Sequence, residues 1–334
     1  MELDLIKLIK HHSRTLPSQS LEGSLITAIG DDCAEFSPSA DSNLLLTTDT
    51  MVEGVHFSLS YYTPFLLGRK LASVNLSDIA AMAGNPRAAL LNLEVPPGLS
   101  DPSAAFWPPF IRGLVERLAE FGAVLAGGDT VKASNNKLSL TLTVIGEVSK
   151  GQAIYRKGAR AGDMIYCSGF VGESALGLKI LQERHVPLPL PVKRHLIARH
   201  LDPTPRLHLG EMLAHCSVTS MIDISDGIAT DLAHICKESG VGADILANRL
   251  PISRAARSAA SALGINAISS CLYGGEDYEL LWTVPSSKSA DMEKKIAAAD
   301  GHGPFFIGTI KKGSGVWLKD SQGLHNITFK GYEH

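Results

Sequence analysis

Aspartates carry the chemistry that this chain most plainly offers. Asp31 and Asp32 follow Gly30, Asp49 follows Thr47 and Thr48, Asp129 follows Gly127 and Gly128, and Asp223 and Asp226 flank Ser225. Most stand where an apolar run gives way to turn residues, and strand ends are where layered α/β proteins bind ligands. Taken singly, each also has an ordinary reading, because Asp is common in turns and at helix N-caps; Asp226 reads equally as a cap. Asp78 differs. Between Thr63 and Gly84, Leu67, Leu71, Asn75, Asp78 and Met82 recur at four- and three-residue spacing and share one helix face. The run from Leu71 to Ala83 is apolar or small nearly all round, which predicts a buried helix. A carboxylate there must be paired, protonated or bound to metal, since burying a lone charge costs on the order of several kcal/mol. The helix's basic residues, Arg69 and Lys70, lie two turns or more upstream. Metal is then the economical partner, with a structural hydrogen bond to neighbouring backbone as the alternative. Oxygen-only ligands select hard cations, and magnesium takes a few carboxylates plus water and phosphate oxygens. The spread over distant segments predicts a cleft between domains. It does not fit a local calcium loop, whose D-x-D-x-D-G spacing is absent.

The usual phosphate-binding signatures are missing. No G-x-x-x-x-G-K-[ST], no G-x-G-x-x-G and no H-R-D or D-F-G set occurs. A bound nucleotide would therefore rely on metals and on glycine turns, for which Gly127-Gly128 and Gly274-Gly275 are candidates. Arg156 is an added cation or else a solvated loop residue.

The elements that must position these residues alternate along the chain. Asn43–Thr48 reads as a strand running into Asp49, and Ala123–Ala126 as one ending at Gly127. Leu138–Val144 has the period-2 pattern of a half-buried strand. Met164–Cys167 and Ser220–Ile224 read as strands, each followed by glycines and a helix; the second helix stops at Gly240. Thr63 is the candidate N-cap and Pro64 the first residue of the long helix, which Gly84 and Pro86 close. This alternation gives an α/β (α+β) class. A Gly-, Lys- and Arg-rich stretch at Lys150–Asp163 marks the junction, so the expected domains are 1–150 and 151–334. VIGEV at Val144–Val148 and FIGTI at Phe306–Ile310 are a short echo between the halves.

A chain of 334 residues with 45% hydrophobic content suits two domains. The net charge of −3 argues against nucleic-acid and membrane-surface partners. Five scattered cysteines with no C-x-x-C pair read as reduced thiols. The charged N-terminus is not a signal peptide, and no apolar stretch reaches the roughly 20 residues of a membrane span, so the cytoplasm is the expected address.

The order GDDCA (Gly30–Ala34), TTDTMVEGVHF (Thr47–Phe57), NLSDIAAMAG (Asn75–Gly84), GGDT (Gly127–Thr130), DISDG (Asp223–Gly227), GGEDYEL (Gly274–Leu280) and KGYEH (Lys330–His334) resembles the thiamine-monophosphate kinases, within the aminoimidazole-ribonucleotide synthetase superfamily. The resemblance spans nearly the whole chain, and VEGVHF with GGEDYEL and KGY is its most specific part. It implies ATP-dependent phosphorylation of thiamine monophosphate to thiamine diphosphate with several Mg2+ ions. It also implies two α/β domains and a homodimer in which the N-terminal sheets form a β-barrel. By this resemblance Asp32, Thr47, Thr48, Asp49, Asp78, Asp129, Asp223 and Asp226 match magnesium positions. Gly128, Asp129, Arg156 and Ser225 match ATP contacts, and His56, Glu276 and Phe329 match contacts to the thiamine phosphate. The chain departs from the family in carrying Ile111 where an aromatic residue often lies near the nucleotide, and Phe329 where some relatives have Trp.

Such a reaction suits these residues. The acceptor is a phosphate with a second pKa of about 6, so it needs no general base. The obstacle is repulsion between two anions, about 4 kcal/mol for unit charges 4 Å apart at an effective dielectric of 20. Magnesium between donor and acceptor offsets that repulsion and aligns the attack. His56 accordingly reads as a binding residue, with a hydrogen-bonded loop histidine as the other reading. The alternatives are a related ATP-dependent synthetase and a non-catalytic magnesium–nucleotide module.

Overall fold

Leu138, Leu140, Leu142 and Val144 all turn inward and are fully buried, as their alternation requires. They belong to a computed structural model that describes residues 7–9, 11–12, 25–29, 33–101, 105–183, 185–300 and 303–331. The chain divides into two compact units, 1–79 with 84–151 and 80–83 with 152–334.

In the first unit, β1 (Leu25–Thr27) pairs with β2 (Glu35–Phe36). A four-stranded sheet is built from β3 (Ser42–Val52), β4 (Asn85–Val95), β5 (Val124–Lys132) and β6 (Ser139–Ser149), in the order β3-β6-β4-β5. Only the β4–β5 pair is parallel. Two expected strand ends are not ends. β3 continues through Asp49, which pairs with Leu142, and β5 continues through Gly127, Gly128 and Asp129, which pair with Leu90, Leu91 and Asn92. Turn-type residues stay in the ladder here because neighbouring strands satisfy their backbone groups. Gly128 has φ +149°, and a Cβ on it would lie 1.8 Å from the Leu91 carbonyl oxygen, so only glycine lets β5 continue there.

The long helix α1 (Pro64–Ala81) starts where expected, with Thr63 Oγ1 accepting from Leu66 N at 3.3 Å. Its left-handed terminal residue is Ala83, φ +59°, and not Gly84. A Cβ on Gly84 would stand 2.4 Å from a Leu45 methyl, so the glycine serves close packing. From Leu71 to Ala83 only Val74, Asp78 and Met82 are half-exposed, one stripe on an otherwise buried helix. The second helix, α2 (Trp107–Glu120), buries Phe110, Ile111, Leu114 and Leu118 completely.

The second unit has a seven-stranded sheet of β7 (Asp163–Cys167), β8 (Ser220–Asp223), β9 (Gly242–Leu246), β10 (Leu280–Pro285), β11 (Phe305–Lys311), β12 (Gly315–Asp320) and β13 (Gly323–Asn326), ordered β13-β12-β9-β11-β7-β10-β8. Its helices are α3 (Glu173–Gln182), α4 (Leu190–Leu201), α5 (Leu207–Ala214), α6 (Ile228–Ser239), α7 (Arg254–Leu263), α8 (Ala267–Tyr273) and α9 (Ser286–Asp300). α6 ends at Gly240 in the left-handed conformation, as read from sequence. The mixed α and β content agrees with the expected class. Among the described residues no helix is long and apolar enough to cross a membrane.

Two glycines set the separation of α1 and α2. A Cβ on Gly68 would lie 2.1 Å from the Phe110 carbonyl oxygen, and one on Gly113 would lie 2.1 Å from that of Phe65. Backbone cannot yield as a side-chain tip can. Gly68→Ala is therefore expected to destabilise the protein by about 1–3 kcal/mol, against the few tenths gained where Ala fits a helix freely. The urea midpoint measures this, and an unchanged midpoint would refute the close approach.

Candidate functional site

In the first unit Thr47, Asp49, Asn75 and Asp78 meet. Thr47 and Asp49 project from the same face of β3, two residues apart, toward α1. The Thr47 hydroxyl donates a short hydrogen bond to Asp78 Oδ2. Asn75 ties helix to strand: its Oδ1 accepts from Asp49 N at 3.1 Å, and its Nδ2 donates to Leu71 O at 3.0 Å. Burial, then the neighbouring Asp78 charge and a hydrogen bond to it, push the Asp49 carboxyl up to about 6. Of the helix's basic residues, Arg69 pairs with Glu120 at 2.7 Å, and the buried Lys70 lies over the Tyr62 ring at 5.5 Å.

The structure does not bring every candidate to this point. Thr48 projects from the other face of β3, donating to Leu142 O and accepting from Thr143 Oγ1. Asp129 lies on β5, the opposite edge strand, with β6 and β4 between, or roughly 14 Å away at ordinary strand spacing. Its amide donates to Asn92 Oδ1 at 3.0 Å and its Oδ1 accepts from Thr130 N at 2.8 Å. Asp32 lies outside the described residues. His56 sits in a tight turn: its Nδ1 accepts from Val52 N at 3.0 Å, which assigns the ring proton to Nε2. Ile111 is a core residue of α2 and presents no face for stacking.

In the second unit, Asp223 ends β8 and Asp226 occupies the turn before α6. The residue capping α6 is Gly227, with no side-chain cap, so Asp226 is not spent as a cap. The turn is braced by the glycine loop: Glu276 N donates to Ser225 O at 2.7 Å, and a Cβ on Gly275 would lie 2.2 Å from that oxygen. Gly274 likewise approaches Ser270 O, so both glycines serve backbone packing. Asp231 is a third carboxyl that the sequence reading passed over. It is buried on α6, and its Oδ2 accepts from Asp226 N at 3.2 Å. Burial and then the charges of Asp223 and Asp226 push it well up, with Arg156 opposing. Like Asp78, it is a carboxylate on a helix with a strong apolar pattern, and that pattern is its sequence signal. Phe329, at φ +49°, is held edge-on to His234, ring centroids 5.2 Å apart.

Among the described residues no group of three or more His, Cys, Asp or Glu side chains is arranged to hold a metal ion. Asp49 and Asp78 fit a hard cation in another way. They are half-buried oxygen donors held close together, a repulsion that a divalent ion relieves while its other positions go to hydroxyl, water or phosphate oxygens.

The pair makes a stability prediction. The folded-state value of Asp49, about 6, exceeds the ordinary 3.8, so the folded protein favours the protonated form. That contribution is fully present below about pH 4 and is lost as pH rises through about 6. Asp49→Asn is expected to stabilise the metal-free protein by about 1–3 kcal/mol near pH 7.5 and by much less near pH 4. Urea midpoints at the two pH values test this, and an equal effect at both would refute the like-charge contact.

Residues 30–148 match the family described as AIR synthase related protein, N-terminal domain. The thiamine-monophosphate kinase of Bacillus subtilis (strain 168) is 36% identical, over 100% of this chain and 99% of the relative. Among solved structures, thiamine-monophosphate kinase from Stenotrophomonas maltophilia K279a superposes with a TM-score of 0.82 at 33% identity, covering 94% of this chain and 95% of that one. AaThiL complexed with AMPPCP and TMP superposes with a TM-score of 0.74 at 32% identity, covering 84% and 85%. With identity at this level over the full length of both chains, the chain belongs to the thiamine-monophosphate kinase family.

Proposed function

We propose that this protein transfers the γ-phosphoryl group of ATP to the phosphate of thiamine monophosphate, giving thiamine diphosphate and ADP. The observation that carries the reading is the half-buried Asp49–Asp78 contact, an anionic pair suited to a divalent ion in a chain without a P-loop. The AMPPCP and TMP bound by AaThiL supply the matching donor and acceptor.

The chemistry follows from the residues. An oxygen of the acceptor phosphate attacks the γ-phosphorus in line, and ADP leaves. No proton has to be removed, so no general base is assigned. Bound magnesium would supply charge neutralisation between the two phosphate chains. Asp49 and Asp78, oriented by Asn75 and Thr47, would hold one such ion; Asp32, Thr48, Asp129, Asp223 and Asp226 are proposed as ligands of other magnesium ions. Gly128, Asp129, Arg156 and Ser225 contact ATP. The Nε2–H of His56 donates to the acceptor phosphate, Glu276 faces the cationic thiazolium, and Phe329 offers an aromatic face. The compartment is the cytoplasm, where the five free thiols stay reduced.

A homodimer is part of the proposal. β3 is an edge strand, and Leu44 and Leu46 stand out of it 46% and 69% exposed. Asp129 lies on the far edge of the same sheet, and closing two such sheets into a barrel joins edge strands of different copies.

Incubation with ATP, magnesium and thiamine monophosphate is expected to yield thiamine diphosphate and ADP in equal amounts. Asp78→Asn is expected to remain folded, with turnover reduced at least about 100-fold, as loss of charge at a transition-state contact does. Full activity in that variant would overturn the proposal. Leu46→Asp is expected to yield monomers in sedimentation, and a wild-type distribution would refute pairing through this face.

A further inference from the structure

Backbone contacts fix where Glu276 sits but not where its carboxylate points. The residue is left-handed, φ +64°, and so is Tyr278, φ +51°. Non-glycine residues take that conformation uncommonly, so the loop needs anchors. Glu276 N and Tyr278 N donate to Ser225 O and Ile224 O at 2.7 and 2.9 Å. Between them, the buried Asp277 accepts from Gly172 N and Ser174 N, 2.6 and 3.0 Å, at the start of α3. These bonds hold the main chain. The carboxylate stands three rotatable bonds further out and is 29% exposed.

What it meets is His200 on α4. Nδ1 of this imidazole lies 3.3 Å from Glu276 Oε2 and 3.1 Å from Ser174 Oγ. The ring is 1% exposed. Its Nδ1 shares a hydrogen bond with the Ser174 hydroxyl and lies at ion-pair distance from the carboxylate. The ring also sits on a fixed platform. Its neighbour Arg199 bridges Glu173 and Glu279 at 3.3 and 2.8 Å, and Arg206, beyond the end of α4, reaches Glu279 at 2.6 Å. Burial and ion pairing at adjacent positions leave His200 little rotamer freedom, and its contact passes that rigidity to Glu276.

We propose that His200 is a positioning residue that aims the Glu276 carboxylate at the cationic ring of the acceptor. The inference rests on the reading of Glu276 as a substrate contact. A substrate cation gains most from a carboxylate already fixed in its bound orientation, because nothing then has to be ordered on binding. Loss of His200 should therefore weaken binding of the thiamine phosphate and spare ATP.

Four variants test this: His200→Leu, His200→Asn, Glu276→Gln and the double variant His200→Leu/Glu276→Gln. Asn places an amide N–H near the position of Nδ1, so it serves as the conservative rescue. Glu276→Gln and His200→Leu are each expected to raise KM for thiamine monophosphate about tenfold, with KM for ATP within about twofold and kcat little changed. His200→Asn should return most of the affinity, and the double variant should be no worse than Glu276→Gln alone. Calorimetric titration with thiamine monophosphate should show the same order. If Glu276→Gln raises KM and His200→Leu does not, the positioning role is wrong while the substrate contact stands. If neither raises it, the reading of Glu276 fails and the inference falls with it. Should His200→Leu not fold, His200→Asn is compared with His200→Gln, whose amide sits near the position of Nε2. Equal KM values for that pair would overturn the proposal.

Discussion

Two carboxylates held together against their own repulsion are the constraint around which the first unit is arranged. Asp49 comes from a strand and Asp78 from a helix, and neither segment brings them together by local preference. Asn75 does so by accepting from the strand amide and donating to its own helix, and Thr47 does so by donating to Asp78. The glycine contacts between α1 and α2 hold the helix that carries Asp78 and Asn75 against its neighbour. The cost appears as the raised carboxyl of Asp49. A fold selected for stability alone would place an amide or an apolar residue there, and strain concentrated at one point of an otherwise well-packed helix is what a binding site leaves behind.

The second unit uses the same device with different parts. Asp223, Asp226 and Asp231 lie within reach of one another's charge, and Asp231 is the one pushed up by burial and by the other two. Here the turn is rigid because glycine lies against it. Gly275 approaches Ser225 O and Gly331 approaches Asp226 O, each at a distance that admits no Cβ. The segment carrying Phe329 is tied in as well, since Gly331 N donates to Thr230 Oγ1 on α6. Residues proposed to contact ATP, metal and acceptor thus share one braced piece of backbone, the kind of pre-organisation that the proposed transfer would draw on.

What could be read from the chain followed the range of each signal. Helix α1 was legible because a 3.6-residue period, an N-cap threonine and a proline at the first position agree within a few residues. The Ser225–Asp226 turn was legible for the same reason. β3 and β5 were cut short, because Thr-Thr-Asp-Thr and Gly-Gly-Asp-Thr resemble turns until pairing partners far along the chain extend them. Asn75 looked like one more small residue on a buried face, since its hydrogen bond spans 26 residues. His200 gave no local signal at all, being 76 residues from the glutamate it meets. Asp231 alone was missed without such an excuse, for it sits beside the apolar face of a helix whose pattern was read correctly.

The geometry of His56 agrees with the proposed reading of this residue as a donor and not a base. Its Nδ1 is already an acceptor for the Val52 amide, so the other ring nitrogen, Nε2, carries the proton. To serve as a base the ring would have to give up that backbone bond or shift its proton to the other nitrogen, leaving two donors facing each other. As a donor it needs no change. An anionic acceptor with a second pKa of about 6 presents oxygens to such a donor and has no proton that must be taken. On the proposed reading, fixed donors and carboxylate-held cations carry the transfer, and the tautomer locked by a single tight turn suits a substrate that supplies its own nucleophile.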